Sequence, residues 1–137
     1  MTSSLAARLH PHCVICGGAN PHGLGVDFRT SADGRSVEAT IDCRGDFQGY
    51  DGRLHGGIVS SLLDGAMVHC LFERGRTAYT AELRVRFHGA VVTGRPATLR
   101  AWLTDSHGRL HHLEAELAQD GEVRARAQAK FLEEPRS

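Results

Sequence analysis

One carboxylate, Asp64, interrupts a stretch that is otherwise apolar on nearly every side, Ile58 to Phe72. Two glycines, Gly56 and Gly57, open that stretch. An ionisable group in such surroundings is costly unless it is paired, hydrated or put to use, and a carboxylate put to use acts as a base or a nucleophile. At the start of a helix, the Gly56 and Gly57 N–H groups have no intrahelical acceptor. Together with the positive end of the helix dipole, they can bind an oxygen carrying negative charge. Glycine also lets a reactant come close to the backbone. The chemistry on offer is therefore one carboxylate and one anion-binding backbone on the same segment.

The elements that must hold these groups follow from period. The segment Gln48–Leu71 reads as a glycine-rich loop leading into a helix that other structure must wrap. After it, apolar residues take the odd positions Tyr79, Ala81, Leu83, Val85 and Phe87, and Thr80, Glu82, Arg84, Arg86 and His88 take the even ones. That is a strand with one face buried, which sets Thr80 on the polar face. The pattern recurs at Ala97–Leu103, Leu113–Leu117 and Val123–Phe131, and before the helix at Val37–Cys43. Asp33-Gly34, Thr93-Gly94-Arg95-Pro96, His107-Gly108 and Asp120-Gly121 supply turn chemistry between the runs. The expected order is a short hairpin, one long helix and a meander of four strands. This is an α+β domain spanning residues 1–137, with residues 1–12 and 133–137 loosely held. The helix lacks a polar face, and burial against a second copy of the chain is the expected reason.

Composition narrows the class. With 137 residues, the chain fits one domain with a real core. Sixteen basic and sixteen acidic residues cancel, so nothing resembles the footprint of a nucleic-acid binder. No run reaches the ~18 apolar residues of a membrane span, and the opening MTSSLAARLHPH lacks a signal-peptide core. A cytoplasmic protein is expected. Cys13, Cys16, Cys43 and Cys70 then read as thiols rather than a disulfide framework.

LHGGIVSSLLDGAM followed by TAYTAELRVRFHGAV resembles the hotdog-fold acyl-CoA thioesterases of the PaaI type, and the likeness runs from about Cys13 to Phe131. The resemblance implies a hotdog fold, a curved antiparallel sheet around one central helix. It also implies hydrolysis of an acyl-CoA without metal or organic cofactor. The Gly56 N–H would polarise the thioester carbonyl, and Asp64 would be general base or nucleophile. Thr80 corresponds to a hydroxyl that helps hold water, against the plainer reading of a surface strand residue. His55 would contact the thioester or orient the loop, or act only as a cap. Gln48 stands near a polar side chain that contacts carbonyl or water, and Gly57 and Ser61 would border the substrate. Two departures stand out, Gly49 where an asparagine is found and Gly65 where some relatives place glutamate. A structural alternative gives Asp64 hydrogen bonds from Ser60, Ser61 or backbone.

Spacing adds a constraint. Gly56 and Asp64 are eight residues apart, or ~12 Å along a helix. One thioester cannot reach both, so the expected site is shared by a homodimer. Trp102, on the outward face, suggests further association to a dimer of dimers. Arg84, Arg86, Arg95, Arg100 and Arg109 offer phosphate-binding chemistry that a solvated sheet face explains equally well. A non-catalytic acyl-CoA-binding module and a hotdog dehydratase are the rival functions; the second lacks its expected histidine with an acidic partner. The segment HPHCVICGGANPHGLGV holds Cys13-x-x-Cys16 with His10, His12 and His22 nearby. That is half of a zinc signature, with Cys43 as the ligand that would have to be recruited. The expectation is a metal-free lid with a turn at Asn20-Pro21-His22-Gly23.

Overall fold

Each alternating run folds as a strand, and most of its apolar positions turn to one side. The computed structural model describes residues 4–135; residues 1–3 and 136–137, part of the ends expected to be loosely held, lie outside it. Strands β1 (Arg29–Thr30), β2 (Ser36–Asp42), β3 (Tyr79–Phe87), β4 (Pro96–His107), β5 (Leu110–Gln119) and β6 (Glu122–Leu132) form one sheet, preceded by helix α1 (Ser4–Leu9). Helix α2 (Gly56–Phe72) packs against its inner face, mostly on β4, β5 and β6. The α+β class is as expected.

The inner face is a set of cross-strand rows. Ala39, Leu99, Leu117 and Ala125 stand opposite one another across four strands, and Leu113 faces Ala129. All are buried. The alanines of β6 lie beside the leucines of β5, a small-beside-large pairing that suits close packing of sheet and helix. Asp120 and Gly121 both take positive φ, 54° and 78°, the geometry of the type I′ turn that suits a two-residue hairpin. Gly75, at φ 70°, donates its N–H to Phe72 O and ends α2.

The expected four-strand meander is corrected. Strand order is β1-β2-β4-β5-β6-β3, so only β4, β5 and β6 run as a meander, and β3 lies at the far edge beside β6. The chain after β3 does not turn back as a hairpin. Val91 O accepts from Leu54 N–H, Thr93 N–H donates to Gly52 O, and Gly94 N–H to Cys43 O. These bonds tie residues 91–94 to the loop before α2 and carry the chain across to β4. Alternation states which face a residue takes, but not which strand lies next door. The odd positions of β3 are consequently not buried: Tyr79 is 60 % exposed and Phe87 53 %.

The wrapping of α2 is also corrected in part. Much of the cover comes from the same chain, because residues 10–28 fold over its C-terminal half. Ile15 sits against Gly65, where a Cβ would stand 2.7 Å from Ile15 Cγ2. Phe28 stacks on His69 with ring centroids 4.4 Å apart, and His10 meets Phe72 edge-on at 4.9 Å. A side chain at position 65 would collide with Ile15 in this packing. In the opening stretch, Ala6 of α1 is buried. At the other end, Glu133 N–H donates to Arg109 O and its carboxylate lies 3.7 Å from Arg76. The turn at Asn20 forms as expected, with Asn20 Oδ1 accepting from His22 N–H and Asn20 O from Gly23 N–H. Trp102 is half-buried, with the Arg100 guanidinium 5.0 Å from its ring.

Candidate active site

The loop before α2 is held on both sides. His55 N–H donates to Phe47 O and Gly49 N–H to Arg53 O. Gln48 Oε1 accepts from Gly52 N–H at 3.1 Å. Gln48 therefore braces the loop through its side-chain carbonyl. His55 is the N-cap, with extended backbone (φ −61°, ψ 136°) and Nδ1 accepting from Gly57 N–H at 2.9 Å. A side-chain acceptor at this position satisfies a helix donor that otherwise lacks one. Acceptance at Nδ1 leaves the proton of neutral His55 on Nε2. The ring is flanked by glycines: a Cβ on Gly57 would stand 3.1 Å from Nδ1, and one on Gly49 3.1 Å from Cδ2. Gly49 thus makes room for the capping imidazole.

With Gly57 capped, the Gly56 N–H remains a donor with no preceding turn to bond. It borders a groove of about 780 Å³ lined by Tyr50, Arg53, His55, Gly56, Val59 and Phe87. Gly56 is exposed, and a Cβ on it would meet the Phe87 ring at 3.6 Å. The alternating pattern contains Phe87, but gave no sign that it would border this amide.

Asp64 lies two turns further on and is half-buried. Thr80 Oγ1 donates to Asp64 Oδ1 at 2.6 Å. Strict alternation put Thr80 on the outer face, and the structure corrects this. The β3–β6 register slips at Ala81, so Thr80 pairs with the inward Phe131 while Glu82 pairs with Lys130. A bulge of this kind re-aims a side chain. Burial pushes the Asp64 carboxyl above its ordinary 3.8, and the Thr80 hydrogen bond opposes that rise. The serines do not serve Asp64: Ser60 Oγ donates to Gly56 O at 3.0 Å and Ser61 Oγ to Gly57 O at 2.8 Å. Gly57, Ser61, Asp64 and Val68 form one stripe that the chain's own sheet leaves partly open. The structure thus joins Thr80 to Asp64 and His55 to Gly57. It leaves Gly56 about 12 Å from Asp64 along the helix, too far for one thioester to touch both.

Residues 44–132 match the profile of the acyl-CoA thioesterase N-terminal domain. The chain belongs to this family. Among solved structures, a thioesterase superfamily protein aligns with 28% identity and a TM-score of 0.82, over 88% of this chain and 63% of its own. This chain thus spans less than two thirds of that relative. The PaaI protein of the E. coli phenylacetic acid degradation operon aligns at 21% identity and TM-score 0.73, over 80% of this chain and 83% of its own. A hypothetical thioesterase from Streptococcus pneumoniae, solved with coenzyme A, aligns at 14% identity and TM-score 0.72, over 79% of this chain and 87% of its own. These last two likenesses establish the hotdog fold. Comparison with curated proteins finds no match. Among the described residues no helix is long and apolar enough to cross a membrane.

Proposed function

We propose that the protein hydrolyses acyl-CoA thioesters at two sites in a homodimer, each joining Asp64 of one copy to the Gly56 end of α2 of the other. The observation that carries this reading is the separation of the two groups on one helix, beside an edge strand whose apolar side chains lack cover. Among the described residues strand β3 pairs only with β6, and Tyr79, Leu83 and Phe87 are exposed on it. A second copy related by a two-fold axis would cover that edge, as isologous interfaces do.

In this site the carbonyl oxygen accepts from the Gly56 N–H, which strengthens as the oxygen gains charge. Asp64 takes a proton from water as the water attacks the carbonyl carbon. The Thr80 hydroxyl donates to Asp64 and can accept the second water hydrogen. Collapse of the tetrahedral adduct breaks the C–S bond and yields carboxylic acid and CoA thiolate, which takes up the proton. A thiol with a pKa of ~8.5 leaves with little acid help. Asp64 as nucleophile, through a mixed anhydride, fits the same geometry. Single turnover in ¹⁸O water separates the two, because only the anhydride route delivers enzyme oxygen to the product.

A cytoplasmic location belongs to the proposal: all four cysteines are free thiols, as a reducing compartment keeps them. Coenzyme A as carrier is supported by its presence in the Streptococcus pneumoniae structure of the same fold. The experiment is thiol release from a panel of acyl-CoAs, wild type against Asp64→Asn. The proposal expects release by wild type and its loss in the variant. Binding of acyl-CoA without release by either protein would establish a non-catalytic binding module instead.

A further inference from the structure

We propose that His10, Cys13 and Cys16 form a zinc site that fastens the N-terminal segment over helix α2. Against the expectation of a metal-free segment, the structure gathers one donor atom from each of these residues, all within 4.8 Å of one another. Cys16 Sγ lies 3.8 Å from His10 Nδ1. Zinc holds thiolate sulfur at ~2.3 Å and imidazole nitrogen at ~2.0–2.1 Å, so a tetrahedral S–Zn–N edge spans ~3.6 Å. The unliganded geometry is already close to that edge.

The local backbone is shaped to present the sulfurs together. Ile15 N–H donates to Cys13 Sγ at 3.4 Å, and Gly17 N–H to Cys13 O at 2.9 Å. An amide aimed at a ligand sulfur orients it and stabilises its thiolate, as outer-shell partners of metal ligands do. The closure needs glycine after the second cysteine, since a Cβ on Gly17 would lie 2.3 Å from Cys13 N. His10 is placed from the other side. Its N–H donates to Ala6 O at the end of α1, its carbonyl accepts from Cys13 N–H, and its ring rests against Phe72.

The sequence offers a wider ligand set. Cys43, the residue to be recruited, is buried in the core and is not a member of this group. His12 and His22 are exposed and also stand outside it. The three ligands are partly exposed, which leaves the fourth vertex to water or an added donor. Two thiolates with one imidazole suit zinc better than a hard cation. Binding releases the two thiol protons to solvent.

The consequence is mechanical. Between the two cysteines lies Ile15, which is packed on Gly65, the residue next to Asp64. A metal at the cysteines holds that side chain down and keeps the cover of α2 closed beside the candidate base. The site does not depend on the hydrolase proposal.

Cobalt is the probe that tests it. Full-length protein, reduced and stripped of metal, is titrated with Co²⁺ without oxygen. The expected result is one Co²⁺ per chain, with thiolate-to-cobalt charge-transfer absorption, tetrahedral d–d bands and displacement by Zn²⁺. Cys13→Ser, Cys16→Ser and His10→Ala should weaken or alter that spectrum, whereas Cys43→Ser should retain it. Zn²⁺ should raise the melting temperature of wild type but not of Cys16→Ser. A wild-type Co²⁺ spectrum without thiolate charge transfer, or no stoichiometric uptake by reduced protein, overturns the proposal without recourse to any variant. So does an unchanged spectrum in Cys13→Ser.

Discussion

Asp64 and Thr80 make opposing demands on one proton. Burial raises the Asp64 carboxyl from 3.8 while the Thr80 hydroxyl lowers it, and burial has the greater effect. A base must be ionised to act, so the acid limb of kcat/KM should lie above the ordinary aspartate range. Thr80→Val removes the lowering influence and should move that limb to higher pH; Thr80→Ser should leave it in place. A pH–rate profile of the three proteins checks this. The same shift has a stability consequence of defined sign. A carboxyl whose folded pKa exceeds its unfolded 3.8 contributes stability below that value and loses it as pH rises through the folded pKa. Asp64→Asn should therefore melt higher than wild type at neutral pH while losing about 10²–10⁴-fold in hydrolysis, the usual worth of a general base. At the helix start, His55→Ala removes a cap and should cost about 1 kcal/mol in denaturant unfolding. Much of the candidate site was legible from residue types: the histidine, two glycines and lone acid stand out in the sequence. The partner of Gln48, Gly52 N–H, was not legible, because it belongs to a loop whose geometry no periodicity encodes.

At the scale of elements, inner faces were readable and neighbours were not. Ala97, Leu99, Leu113, Leu117, Ala125 and Phe131 are buried as alternation requires. The position of β3 beyond β6 depends instead on hydrogen bonds between residues 91–94 and the loop before α2, which leave no trace in the pattern. The bulge at Ala81 is equally silent, because one inserted residue looks like one more step of the alternation. That is why Thr80 was assigned to the wrong face. Edge position makes β3 a test element. Leu83 is 36 % exposed in the single chain. Leu83→Lys should leave circular dichroism near that of wild type, reduce the solution mass to one 14.9 kDa chain, and abolish hydrolysis. A folded, dimeric and active Leu83→Lys would remove β3 from the interface.

For the whole molecule, the central claim is that no single chain holds a complete site. Gly56→Pro tests it cleanly. Proline is tolerated at the first helical position and removes only an N–H the helix does not use. The extended His55 backbone, at ψ 136°, also suits a residue before proline. Gly56→Pro and Asp64→Asn should each be folded and inactive. Unfolded together in equal amounts and refolded, half of the dimers should be mixed, each with one intact site and one carrying both lesions. Restored activity should then reach about a quarter of wild type, as random pairing of isologous subunits requires. Mixed dimers, verified by mass, that remain as inactive as either parent would place both groups in one chain's site and contradict the account.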